Sequence, residues 1–206
     1  MKIVIVDYGM GNICSLMGAL KHVGAESILV SSSHEVLKTA DRMILPGVGA
    51  FGNAMDRIRE KRLDVAIREL ALEKGMPILG ICLGMQLLGQ SSDEGGSHEG
   101  LGLVEADVRK FAGVGLKIPH VGFNQVRADG NLRLYAGFGD CADFYFTHSH
   151  RMMGGVGMNA CYCDYGGDFI ASFEVGNIAG VQFHPELSQR NGLRLLRNFV
   201  SPGVFG

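Results

Sequence analysis

The chain has 206 residues, 47% of them hydrophobic, and a formal net charge of −2. That is enough for one full α/β core and too little for two ordinary ones, so residues 1–206 are expected to form a single domain. The balanced charge, without long Lys/Arg runs, gives no electrostatic footprint for nucleic acid, and no apolar run approaches a membrane span. Five cysteines in a chain whose first strand stops at Asp7 rather than extending into a signal peptide predict reduced thiols in the cytoplasm.

In chain order, the pattern predicts a strand over 2–6, then a helix with Asn12 as N-cap. Ile13, Leu16, Met17, Leu20 and Val23 share one face of that helix and Gly24 closes it. A strand over 27–30 follows, and Ser32 and Glu35 have capping-box spacing before a short helix. A strand over 42–45 ends at Pro46, and helices are expected over 53–60 and 63–74, the second stopped by Gly75. The apolar run 77–81 reads as a buried strand and 83–88 as the start of a helix. After a polar, glycine-rich loop over 91–100, strands are predicted over 101–108, 123–126, 144–147, 169–174 and 178–183. Gly176 and Asn177 read as the turn between the last two, and a helix over 189–200 finishes the chain. Strand–helix alternation in the first half predicts an α/β fold with a mostly parallel sheet flanked by helices, to which a strand-rich region is added.

Cys82 lies between the predicted strand and helix, flanked by Gly80 and Gly84. This is the form of a nucleophile elbow, a strained turn that needs small neighbours on both sides. A thiol at a helix N-terminus is also favoured as thiolate. A cysteine nucleophile needs a base, and the base needs a group that fixes its tautomer. His184 and Glu186 supply that pair at the end of the last predicted strand, two residues apart and so on one side of an extended segment. The amide of Leu83 is a natural oxyanion donor, and Gln86, one turn beyond Cys82, can bind the amino-acid end of a substrate.

Taken with Asp7–Asn12, Leu45–Phe51, Pro119–Asn124 and Tyr145–Ser149, these stretches identify a resemblance that spans essentially the whole chain. The chain resembles the class I glutamine amidotransferases, and among them the glutaminase subunits of imidazole glycerol phosphate synthases. The resemblance implies that Cys82, His184 and Glu186 are catalytic and that the Pro46–Gly49 stretch completes the oxyanion hole through Val48 and Gly49 beside Leu83. Glutamine is the implied substrate, held by Gly49 and Gln86 with Glu94 and the backbone at His148 and Ser149. It implies a heterodimer with a (β/α)8-barrel synthase subunit, which Met10, Gly11, Asn12, Phe123 and the region of Leu187 would face. It implies no cofactor and no metal.

Other readings of individual residues are weaker. The glycines after the first strand suggest a dinucleotide site, but Cys14 stands where the third glycine is required. Cys161 and Cys163 have no second pair nearby to complete a metal site, His120 reads as structural, and His22, His34 and His98 read as surface residues. Relatives usually have lysine at Leu187, tryptophan at Phe123 and an aromatic after Ser149, where this chain has His150 and Arg151. These departures fall on the implied docking face, so a paralogue supplying ammonia for a surface-polysaccharide sugar remains an alternative. A stand-alone cysteine hydrolase would share the elbow without needing a partner, and a silent binding subunit would not need the intact triad.

Overall fold

The computed structural model describes residues 1–113, 115–128, 132–154 and 157–205. The first half holds β1 (Lys2–Val6), α1 (Ile13–His22), β2 (Ser27–Ser31), α2 (His34–Leu37), β3 (Arg42–Leu45), α3 (Phe51–Glu60) and α4 (Leu63–Arg68). It continues through β4 (Ile78–Ile81), α5 (Leu83–Leu87) and the short β5 (Ser91–Ser92) and β6 (His98–Glu99). The second half holds β7 (Ala106–Lys110), β8 (His120–Arg127), β9 (Cys141–His148), β10 (His150–Gly154), β11 (Asn159–Asp164), β12 (Asp168–Val175), β13 (Ile178–Val181) and α6 (Gln189–Val200).

Nine of the described strands form one sheet in the order β2-β1-β3-β4-β13-β12-β11-β8-β9. The pairings from β2 to β13 are parallel and those from β13 to β9 antiparallel. The α/β fold expected from the alternation is therefore present, but the sheet is mixed rather than mostly parallel: β8, β9, β11 and β12 of the strand-rich region extend it, whereas β7 and β10 join a second sheet. A four-stranded sheet, β10-β7-β5-β6, packs beside it. Period-two alternation divides the core. Ile3 and Ile5 of β1 join Leu16 and Leu20 of α1 and Leu195 and Phe199 of α6, while Val4 and Val6 join Phe51, Ile58 and Ile67 from α3 and α4. Because β1, β3, β4 and β13 run parallel, the loops after them open at one sheet edge, and every candidate catalytic residue follows one of these strands.

Several boundaries move, each for a physical reason. The strand expected over 101–108 begins only at Ala106. Upstream, the amides of Leu101, Leu103 and Val104 bond to the carbonyls of Leu87 and Leu88, satisfying the otherwise orphaned end of α5. The N-cap of α2 is Ser33 rather than Ser32, because the Ser33 N–H donates to Ser31 Oγ at 3.0 Å and holds the chain extended for one more residue. The helix over 63–74 passes into a π-helical turn at Glu69–Glu73. There Asn177 Nδ2 donates to the Ala71 and Met76 carbonyls at 2.8 and 2.9 Å. The loop over 91–100 holds the two-residue strands β5 and β6, and β10 was not expected at all. Helix α6 spans the residues its periodicity predicts.

Candidate active site

Cys82 occupies the turn between β4 and α5 at φ 53°, ψ −110°. A non-glycine residue held at positive φ costs roughly 1–3 kcal/mol and persists only where its surroundings over-determine it. Here the Cys82 N–H donates to the Val181 carbonyl at 2.8 Å, and its own carbonyl accepts from Gln86 N–H at 3.3 Å. The flanking glycines permit close approach. A Cβ on Gly80 would lie 2.7 Å from the Gly84 carbonyl oxygen, and one on Gly84 would overlap the Leu45 carbonyl. Gly84→Ala is therefore expected to destabilise the chain by about 1–3 kcal/mol through overpacking, read as a lower denaturant midpoint. An unchanged midpoint would contradict this packing. Helix α5 has only five residues, so its dipole contributes less to the thiolate than the sequence suggests.

His184 ends the run from β13 in an extended conformation, and Pro185–Leu187 form a 3-10 turn. The expected extended His-Pro-Glu segment is therefore replaced by a tight turn, for which the fixed φ of Pro185 is equally suited. The pairing survives the change: His184 Nδ1 lies 2.9 Å from Glu186 Oε1. A carboxylate only accepts, so Nδ1 carries the proton. His184 Nε2 is buried and has no hydrogen bond of normal length. Contacts of this kind tighten in substrate complexes.

Burial opposes a charge on His184, but the Cys82 sulfur and the Glu186 carboxylate outweigh it and raise its pKa to about 10. A folded-state pKa above the ordinary value of about 6.5 means this group stabilises the fold most fully below that pH. The contribution is lost as pH rises through the folded value. The imidazole of His184 should thus remain protonated at pH 8 by heteronuclear NMR, and Cys82→Ser should lower its midpoint because burial then meets less opposing charge. A neutral imidazole at pH 7 in the unmodified chain would contradict the pairing.

A cavity of about 330 Å³ opens on this pair. Its wall includes Cys82, His184 and Leu83, with Val48 and Gly49 from the loop after β3. Gln86, Glu94, His148 and Ser149 also line it, so the cavity gathers all the residues expected at the oxyanion and substrate positions. Glu186 stands behind His184, its side chain 3% exposed. Glu94 also has a structural task, since its Oε2 accepts the Phe51 N–H at 2.8 Å at the start of α3. Pro119, Thr147 and His150 complete the wall, although no signal in the sequence placed them at the site.

His120 is buried, and its Nδ1 lies 3.1 Å from His148 Nε2. His148 Nδ1 in turn donates to the His150 carbonyl at 2.8 Å. Burial lowers the pKa of His120 to about 4 and that of His148 to about 3, so both rings are neutral supports of the cavity wall. Cys161 and Cys163 are buried in β11, where burial pushes the Cys163 thiol up to about 12. His22 is exposed, and His34 and His98 are half-buried.

The loop after β1 lies against the loop after β3. The Tyr8 hydroxyl donates to the Pro46 carbonyl at 2.7 Å, and Met10 Cε lies 2.7 Å from where a Gly49 Cβ would be. Val48, Val121, Phe123 and Leu187 are exposed apolar side chains, of which Val48 lines the cavity. Val121 was not anticipated; its cross-strand partner is the cavity residue Thr147.

The model of the class-I glutamine amidotransferase family matches residues 4–202. The imidazole glycerol phosphate synthase subunit HisH of Aquifex aeolicus is 44% identical over 200 residues, covering 97% of this chain and 96% of its own length. The protein of the same name from Methanosarcina acetivorans is 44% identical over 201 residues, covering 97% and 98%. Among solved structures, PurLQS from Thermotoga maritima superposes with a TM-score of 0.73 at 21% identity, covering 96% of each chain. At that identity the likeness speaks for the fold alone.

Proposed function

The chain belongs to the class I glutamine amidotransferase family, and from that premise we propose that it is the glutaminase subunit of an imidazole glycerol phosphate synthase, with residues 1–206 as one glutaminase domain. The observation that carries the reading is the convergence of Cys82, His184 and both oxyanion-hole stretches on one cavity. Its relatives from Aquifex aeolicus and Methanosarcina acetivorans, named as subunits of that synthase, supply the assignment of the reaction.

In the proposed cycle Cys82 Sγ attacks the side-chain amide carbon of glutamine, its proton having passed to His184 Nε2. Negative charge develops on the amide oxygen, which accepts from the Leu83 N–H and from a peptide N–H of the Val48–Gly49 stretch. Collapse of the tetrahedral intermediate breaks the C–N bond, and the His184 imidazolium protonates the departing ammonia. His184 then takes a proton from water, which attacks the glutamyl thioester and releases glutamate. Glu186 holds the Nδ1 proton and stabilises the imidazolium throughout. Gly49, Gln86, Glu94, His148 and Ser149 hold the amino-acid end of glutamine.

The ammonia passes to a (β/α)8-barrel synthase subunit, which makes imidazole glycerol phosphate and an aminoimidazole carboxamide ribotide in the cytoplasm. Among the described residues no helix is long and apolar enough to cross a membrane. Met10, Gly11 and Asn12 and the exposed Phe123 and Leu187 form the docking face. Phe123 packs edge-on against Tyr145 at 5.5 Å, and the Tyr145 N–H donates to Ser188 Oγ, one residue beyond Leu187. Both substituted positions present exposed apolar side chains, suited to an apolar partner surface where relatives use lysine and tryptophan.

A glutamine-mimicking electrophile tests the assignment. Of the five cysteines, Cys82 alone is expected to form the covalent adduct on peptide mapping. Modification chiefly at Cys161 or Cys163 would overturn it.

A further inference from the structure

A buried chain of hydrogen bonds runs beneath the cavity, and one acceptor fixes its direction. The His150 carbonyl oxygen can only accept, and Gln86 Nε2 lies 3.1 Å from it. The Gln86 amide must therefore present its NH2 group there, and the same nitrogen donates to Gln182 Oε1 at 2.9 Å. That commitment turns the NH2 of Gln182 the other way, toward Cys82 Sγ at 3.7 Å. Gln182 is fully buried, at 0% exposure. A polar side chain in such a place is costly unless both ends are satisfied.

The backbone fixes the arrangement independently. Val181 pairs with Ile81 in the parallel register, the Val181 carbonyl holds the Cys82 N–H at 2.8 Å, and the Gln182 N–H donates to the Ala171 carbonyl at 2.8 Å. Cys82 Sγ also lies 3.9 Å from the Thr147 carbonyl oxygen. The sulfur thus sits between an acceptor that only a thiol can use and a donor that favours a thiolate. Charge-assisted bonds of the second kind are the stronger.

We propose that Gln182 is a positioning residue for the Cys82 thiolate: its side-chain amide, locked by Gln86, donates to the sulfur and favours the ionised, attacking form. This deepens the glutaminase reading and rests on Cys82 being its nucleophile. Because Gln86 also lines the substrate cavity, the same bond connects substrate contact to the sulfur. The titratable groups around the sulfur are His184 after β13, Tyr8 after β1, His148 and His150 at the ends of β9 and β10, and Glu94 on the far wall. Burial keeps Tyr8 and His148 uncharged, whereas His184 is held charged by the sulfur and Glu186 and responds to any change at Cys82.

Two substitutions separate this role from simple packing. Gln182→Glu keeps the shape and the acceptor for Gln86 but replaces the donor with a carboxylate oxygen. Gln182→Met keeps the volume and removes both polar ends. The full chain is alkylated with iodoacetamide over a range of pH and Cys82 modification is followed by peptide mapping, while kcat and KM are measured with the synthase subunit. The alkylation midpoint should rise in both variants and further in Gln182→Glu. In Gln182→Met kcat should fall about tenfold, in line with the loss of one hydrogen bond to a charged group, with KM for glutamine little changed. Wild-type midpoints in the folded variants would overturn the proposal. In the unmodified chain, which tests it even if the variants do not fold, the 15N side-chain amide signal of Gln182 should shift when Cys82 is alkylated, and an unmoved signal would overturn it. Failure of Cys82 to react in the unmodified chain would instead overturn the glutaminase reading itself.

Discussion

Replacing His184 with alanine should lower glutamine hydrolysis by about 10²–10⁴-fold, the range expected when a positioned general acid–base group is removed. The size of the effect follows from the two tasks proposed for it, taking the thiol proton before attack and returning one to ammonia. Glu186→Gln should cost less. The amide can still accept the Nδ1 hydrogen bond seen at 2.9 Å, but it no longer opposes the imidazolium with a full negative charge. The side chains of both residues are almost wholly buried, so the fold of each variant should be checked by circular dichroism before its rate is compared. Glutamate production equal to wild type in both variants would show that the base lies elsewhere.

The second large effect concerns the partner. The isolated chain should hydrolyse glutamine slowly, and docking of the synthase subunit with its ligand should raise the rate by about 10²–10³-fold, the worth of one oxyanion-hole donor. Such a switch needs only a rotation of the Val48 peptide that turns its N–H or its C=O toward the substrate, which glycines on either side, Gly47 and Gly49, would allow. Their surroundings divide the work unequally. Gly47 is hemmed in, a Cβ there lying 2.5 Å from the Tyr8 hydroxyl and 2.9 Å from the Gly84 nitrogen. Gly49, at φ +108°, is exposed and is the freer joint. Val48 itself is 42% exposed at the cavity mouth. Docking against the Asp7–Asn12 loop has a direct route inward through the Tyr8–Pro46 hydrogen bond and the Met10 contact with Gly49. Glutamate production is to be measured with and without the synthase subunit. Full activity in the chain alone would remove the need for a switch and favour a stand-alone hydrolase.

What was legible in the sequence was local or periodic. The elbow could be read because an apolar strand, a glycine-flanked cysteine and a helix start adjoin one another. Helix α6 could be read because its apolar positions recur at helical spacing. His184 and Glu186 were legible as a pair through their spacing, although the spacing suggested an extended segment and the backbone makes a 3-10 turn. The features that escaped depend on partners far along the chain. Gln182 and Gln86 are 96 residues apart and meet only because β4 and β13 are neighbours in the sheet. The late start of β7 depends on amides that turn aside to cap α5. Strand β10 gains its ladder from β7, about forty residues earlier, and its own sequence carries no alternation strong enough to announce it.

The central claim is that Cys82 carries the glutamyl group, and a quenched single turnover tests it most directly. The chain, assembled with its synthase subunit, is mixed with glutamine labelled in its carbon skeleton, stopped in acid and digested. The account predicts label on the peptide containing Cys82, sensitive to hydroxylamine as a thioester is, and absent in Cys82→Ser. Glutamate formed at full rate with no label on that peptide, or label retained in Cys82→Ser, would contradict it.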